Sequence, residues 1–485
     1  MADQSSGHVG ETGGPGGTAP QVALFGDVFA RGGVATGDAA WLAAMLDTEA
    51  ALARALERAG LASPGTGAAV TAAAGGLSAA EVAEVARASG LTGNPVPGLA
   101  RVLTRRVPEA ARSAVHRGAT SQDIMDTAAM LLARRAIDVT GRDLRLAAAS
   151  AAGLAQEHRG TLMIGRTLLQ QAVPVTFGLV AAGWLAGLDA AITGLDIVRD
   201  TRLAAQFGGA AGTLASLGTE GPMVAALLAD ELGLVAPPLP WHTERLRVID
   251  VATALARVTA ALGKIARDVT LLAQTEVGEL SDGPGSGGAG SEGAPRRGGS
   301  SAMPNKSNPV ASVAILGCSR QVPGLLATLV ASAEQEHQRA AGAWHAEWQP
   351  WSDLLRLAGS AAAWGAELLG GLTVHAGRMA ANLAATGGLP LAEQVTGLLA
   401  DALGRPAAHD LVAGAARQAA DSGQPLRDVL LSVPEVKEAG IGAAEIDAAL
   451  DPAGYLGAAD DFITAALRFH EQQGFYEEQE GSASG

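Results

Sequence analysis

One string concentrates the groups that could do chemistry: Gly299-Ser300-Ser301-Ala302-Met303-Pro304-Asn305-Lys306-Ser307-Asn308-Pro309. A Gly-rich arm brings two hydroxyls and one of only three lysines to the start of a long apolar segment, where Asn308 can cap a helix and Pro309 can open it. Hydroxyls, a cation and a helix N-terminus together suit a ligand that carries carboxylates. A solvated Gly/Ser linker ahead of an ordinary capped helix fits the same residues.

Three further strings carry polar groups at the edges of apolar segments. In His116-Arg117-Gly118-Ala119-Thr120-Ser121-Gln122-Asp123, Thr120 or Ser121 can cap the next helix, with Asp123 near the capping-box position. Capping alone requires neither His116 nor Gln122. Gly165-Arg166-Thr167-Leu168-Leu169-Gln170-Gln171 reads as a polar turn that feeds an apolar helix. In Pro240-Trp241-His242-Thr243-Glu244-Arg245-Leu246-Arg247 the two arginines are two apart and cannot share a helix face. One can pair with Glu244 or Asp250 while the other meets an anion. His242 beside Trp241 suits a structural role as well as a catalytic one.

The elements that must position these groups are long helices. Apolar residues recur at helical spacing over 38–60, and the segments 127–158, 176–205, 244–279 and 310–340 each sustain the pattern for about 30 residues, well beyond the usual helix length. No segment alternates like a strand for long, so the expected fold is all-α, a bundle whose members bury most of their circumference. The expected organisation is an N-terminal tail over 1–20, a helical domain over 21–126, a central bundle over 127–372 with a mobile loop at 281–303, a small helical domain over 373–474, and a C-terminal tail over 475–485.

Composition narrows the class. The 485 residues are 48% apolar but 3% aromatic, with 64 glycines, so Ala, Leu and Val must fill the core. A net charge of -15, with no basic stripe, argues against nucleic acid as a partner. Cys318 is the only cysteine, which excludes an internal disulfide and suits a reducing cytoplasm. The first 20 residues lack the basic and apolar regions of a signal peptide. The nearly uncharged stretch 172–188 contains Pro174 and ends at Asp189, so it reads as a buried helix and not a membrane span. No metal cluster or phosphate-cradling loop appears, and no cofactor is expected.

Taken together the four strings resemble the fumarase/aspartase superfamily, whose loop pattern Gly-Ser-Ser-x-Met-Pro-x-Lys-x-Asn-Pro is matched at every fixed position from Gly299 to Pro309. The strings 118–127, 166–174, 206–218 and 335–347 are most similar to its cycloisomerase branch, over roughly residues 24–469. The resemblance implies a homotetramer with a 20-helix core and active sites each built from three subunits. It makes Ser300 the base that handles the proton next to a carboxylate, with Ser301 and Lys306 beside it. Met303, Asn308, Thr120, Ser121, Gln170, Arg245, Arg247, His116 and His242 are its candidate substrate contacts. The implied reaction is the closure of a carboxymuconate tricarboxylate to its lactone, in protocatechuate breakdown by the β-ketoadipate route. Adenylosuccinate lyase, or another lyase that releases fumarate, is the alternative.

The chain departs from the lyase pattern at two places. Superfamily lyases carry a histidine after Gly-Arg-Thr and a glutamate seven residues after the loop lysine; here those positions hold Leu168 and Val313. An amine or hydroxide leaving group needs a proton donor, whereas a carboxylate leaves as a stable anion. Loss of both halves of the acid pair therefore favours a cycloisomerase. Glu244, where relatives usually carry Gln, is a further departure.

Overall fold

The structure is a computed structural model that describes residues 24–283, 298–299, 303 and 306–474. The sequence pattern predicts helices, and the long ones form close to where they are expected. They are α1 (Asp38–Arg58), α2 (Ala79–Thr92), α3 (Ser121–Glu157), α4 (Phe177–Thr201), α5 (Leu246–Leu272), α6 (Val310–Ala331) and α7 (Ala343–Gly370). Shorter helices follow, among them α8 (Ala376–Ala384), α9 (Ala392–Leu403), α10 (Arg405–Ser422) and α11 (Ala459–Gln472).

The five helices α3 to α7 form a bundle in which α7 packs on α3, α5 and α6, and α4 packs on α3 and α5. Small residues bring the backbones close: Gly365 faces Leu262 and Gly359 faces Val34, each so tightly that an added Cβ would overlap its neighbour. One continuous apolar core joins α1 to this bundle and includes Ile463 of α11. A second, smaller core lies between Val395 and Ala449. The expected boundary at residue 126 falls inside α3, because the helix starts at Ser121 and runs unbroken through it.

Within this all-α fold, the string around Gln170 corrects one local reading, that of a turn feeding a helix. It forms a β-hairpin, β1 (Leu162–Thr167) and β2 (Gln170–Thr176), in which Thr167 pairs with Gln170. Leu168 and Leu169 form its two-residue tip, both with positive φ (54° and 64°), the twist that a tight hairpin demands. Leucine in that region is strained by roughly 1–2 kcal/mol per residue, which Gly or Asn would avoid. The polar residues therefore mark a hairpin turn, not a helix connection. A second short pair, β3 (Leu280–Ser281) with β4 (Thr373–Val374), ties the end of α5 to the segment after α7.

Two helices, α4 and α6, are long and apolar enough to cross a membrane by length and composition. The most apolar window of α4 is 61% buried within the chain, as expected for a bundle helix, while that of α6 is only 28% buried.

Candidate active site

The N-terminal end of α3 gathers two of the four polar strings, with the Gly208–Gly209 turn, around one carboxylate. Asp123 is fully buried, and it accepts the backbone N–H of Thr120 (2.9 Å), Gly208 (3.0 Å) and Gly209 (2.9 Å). Its Oδ1 also lies 2.6 Å from His242 Nε2. The Thr120 contact is the reciprocal half of the predicted capping box, so Asp123 serves a cap and a loop at once. Four donors offset the cost of burying the charge. Gly208 cannot be exchanged here, because a Cβ would sit 2.7 Å from both His242 and Pro240. Gln122 holds the other side by donating to the His242 carbonyl (2.8 Å) and accepting from Arg339 (2.8 Å).

His116 stands beside this cluster with φ +56°, and its backbone N–H and Nδ1 both meet the buried Glu49 (2.9 and 2.7 Å). Burial lowers the pKa of His116, but the hydrogen bond and charge of Glu49 outweigh it and leave the imidazole above its ordinary value. A histidine with a raised folded pKa stabilises the fold fully below its unfolded value, near 6.5, and loses that contribution as pH rises through the folded value. Glu49→Gln is therefore expected to destabilise the protein more at pH 6 than at pH 9, checked by urea unfolding of both proteins at the two values. An equal loss at both would show that His116 is not the group that titrates.

Arg245, an expected substrate contact, is held inside the chain. It is 4% exposed, and its guanidinium is taken by Asp126 (2.8 and 3.1 Å) and Glu347 (3.0 and 2.5 Å). Trp344 adds its indole N–H to Asp126 (3.0 Å), and Arg245 lies over Trp241 at 4.9 Å. The group is a buried ion network with its donors spent inside the chain. Arg247 is half-buried over Trp241 (5.2 Å) and donates to the Arg202 carbonyl (2.8 Å). Neither arginine makes the predicted pair with Glu244 or Asp250: Glu244 accepts the Leu246 N–H (3.0 Å) at the start of α5, and Asp250 pairs with Arg202 (2.9 Å).

The described flanks of the Ser-rich loop lie at the other end of the bundle. Ser300 and Ser301 are outside the described residues. The described flanks close on each other: Gly299 bridges Ser307, and Asn308 donates its backbone N–H (2.9 Å) and its side-chain amide (3.0 Å) to the Gly298 carbonyl. Only glycine fits at 298, because φ is +80° and a Cβ would meet the Asn308 carbonyl oxygen at 2.2 Å. Asn308 thus pins the base of the loop instead of capping α6, which begins at Val310 after Pro309. The first turn of α6 receives a carboxylate from the chain itself, as Asp282 accepts the Ser312 N–H (3.2 Å). Lys306 is exposed and Met303 is 47% exposed.

The hairpin joins this end through Arg166, which makes a two-pronged pair with the buried Glu279 (2.8 and 2.8 Å), itself held by Asn382 of α8 (2.7 Å). Gln170 is exposed on β2, next to the hairpin tip, where Leu168 is 96% exposed. Val313, on the first turn of α6, is 57% exposed. Among the described residues, no group of three or more side chains could hold a metal ion.

The candidate residues therefore fall into two sets. His116, Thr120, Ser121, His242, Arg245 and Arg247 lie at the start of α3 and α5; Gln170, Met303, Lys306 and Asn308 lie beyond the end of α5. The 27 residues of α5 put about 40 Å between them. The residues that sequence reasoning missed are Glu49, Gln122, Asp123 as a hub, and Arg339. Glu49 could have been found as a lone charge inside the apolar stripe of α1; the others sit within the quoted strings but take their meaning from partners far along the chain.

Comparison with known proteins gives consistent matches along the chain. The family model described as "Lyase" matches residues 36–324, and "Adenylosuccinate lyase C-terminus" matches 388–466. The chain is 44% identical to 3-carboxy-cis,cis-muconate cycloisomerase of Pseudomonas aeruginosa, over 90% of this chain and 93% of that protein. It is 45% identical to nitrosuccinate lyase of Streptomyces davaonensis, over 89% and 91%. The crystal structure of the 3-carboxy-cis,cis-muconate lactonizing enzyme from Pseudomonas putida superposes with a TM-score of 0.84 at 40% identity, over 93% of this chain and 99% of that one.

Proposed function

The chain belongs to the fumarase/aspartase superfamily of lyases, and from that membership we propose that it is a 3-carboxy-cis,cis-muconate cycloisomerase that forms 4-carboxymuconolactone. The observation that carries the reading is the pair Leu168 and Val313. Both stand where the superfamily's acid pair is expected, both are apolar, and both are exposed in the subunit. A reaction run there must not depend on a proton given to the leaving group. Lactonisation meets that condition, since its nucleophile, or in reverse its leaving group, is a carboxylate. One carboxylate of the substrate adds to the β carbon of an alkene that bears another carboxylate, and Ser300 delivers the proton to the α carbon. Lys306 and the loop amides stabilise the enolate-like charge. Nucleophile and alkene belong to one molecule, so holding it in the closed rotamer supplies much of the acceleration.

The same observation favours a second reading, elimination of nitrite from nitrosuccinate. Nitrite, like a carboxylate, leaves without a proton donor, and the Streptomyces relative bears that activity in its name. Adenylosuccinate lyase chemistry fits less well, because the departing purine amine needs the acid that Leu168 cannot supply.

The active site is shared between subunits of a soluble, cytoplasmic homotetramer. Two features support this: the 40 Å that separate the two sets of candidate residues, and the exposed apolar surface of α6. Five bundle helices per subunit are what a twenty-helix core requires. No nucleic acid or membrane partner takes part, and the ligand is a small polycarboxylate. The test is complementation: Ser300→Ala and His242→Asn variants, each inactive alone, are expected to regain a fraction of wild-type turnover when unfolded and refolded together. Mixed protein as inactive as its parents would place each site within one subunit. Lys306→Met is expected to raise KM about tenfold or more, with a smaller change in kcat, as for a lost charge-assisted contact. Unchanged steady-state kinetics would make Lys306 a structural residue.

A further inference from the structure

A cavity of about 450 Å³ lies between the start of α1, α2 and the first turns of α7. Its walls are Trp41, Leu42, Met45, Val85, Met125 and Trp348: two indoles, two thioethers and two aliphatic side chains. Its volume is that of a small-molecule pocket, and its lining is apolar with a few polar groups, the usual build of such a site. Among the described residues, the only charged one lining it is Asp38, an exposed carboxylate on the first residue of α1, and no Lys, Arg or His takes part.

The aromatic walls are fixed in place. Ser352 accepts the Trp41 indole N–H (2.8 Å) and passes its own hydrogen to the Trp348 carbonyl (3.1 Å), which locks α1 against α7. The Trp348 indole is packed by Trp344 (4.9 Å) and His345 (4.6 Å), and its buried N–H has no acceptor among the described residues. Indoles and polarizable sulfur in the lining favour a planar ring and a cation, and a carboxylate at the rim attracts the cation again. A polycarboxylate meets the opposite: the rim and the -15 charge of the chain both repel it.

We infer that this cavity is a binding site for a small arylalkylammonium, with its ring against the indole-lined wall and its ammonium at Asp38. None of the candidate polycarboxylate contacts lines the cavity, and the assignment does not rest on the identity of the reaction. 2-Phenylethylamine is the probe, titrated into the full-length protein and followed by calorimetry and by tryptophan fluorescence.

The expected result is a saturable signal with one site per chain. Ala86 lines the cavity from its exposed side, so Ala86→Trp should fill the space and weaken binding about tenfold or more while leaving the lactonisation kinetics unchanged. Ser89→Trp blocks the same space and replaces it should Ala86→Trp fail to fold by circular dichroism. Asp38→Asn should weaken the amine about fivefold but leave neutral 2-phenylethanol unaffected. No saturable signal, full affinity in the folded blocking variant, or 3-phenylpropionate binding as tightly as the amine would each overturn the assignment.

Discussion

Ser300→Ala is expected to lower turnover about 100-fold or more with a far smaller change in KM, the signature of a positioned proton carrier. The flanks of the loop that carries Ser300 are pinned. Asn308 holds the Gly298 carbonyl through two donors, and the close approach at Gly298 leaves no room for a side chain. The described flanks of the loop thus meet at one point, next to the first turn of α6. Ser301→Ala should cost less, since only one hydroxyl can hand the proton to the α carbon. Turnover near wild type in Ser300→Ala, measured with saturating substrate, would remove this residue from the chemistry.

The second large effect falls on stability. Arg245→Met leaves Asp126 and Glu347, 3% and 4% exposed, without their shared cation. Burial already pushes the Glu347 carboxyl above the usual range, and the Arg245 charge is what opposes that shift. Removing one partner of a buried network typically costs about 3–5 kcal/mol, because the charge left behind is uncompensated. Thermal and urea unfolding should show a loss of that size. Replacing all three by apolar residues, Arg245→Met with Asp126→Leu and Glu347→Leu, should recover much of it. If Arg245 bound substrate instead, Arg245→Met would keep its stability and lose affinity.

Arg245 also shows where the sequence stops being informative. Its spacing from Arg247 correctly separates the two side chains, yet its partners lie 119 and 102 residues away, beyond the reach of any local pattern. The long helices were legible because each repeats its apolar face over many turns, and tertiary packing then reinforces what the period already says. The hairpin at Leu162–Thr176 was not, since its tip holds two leucines in backbone conformations that glycine or asparagine normally signals. Asn308 was legible as a loop-end residue but not in its partner: a cap and a loop clasp use the same side chain, and only the approach of Gly298 decides between them. Asp123 was visible as a capping residue, and its larger role appears only when the Gly208–Gly209 turn and His242 arrive from later in the chain.

The central claim is that this active site adds a carboxylate to an alkene without an acid for the leaving group. Its most direct test adds 3-carboxy-cis,cis-muconate to the purified, metal-free protein and follows the ultraviolet absorbance of the diene, with nitrosuccinate and nitrite release run in parallel. Rapid loss of the diene, with the lactone as product, is the predicted result. An unchanged diene with folded protein, together with nitrite and fumarate from nitrosuccinate, would contradict the cycloisomerase reading and make the protein an eliminating lyase.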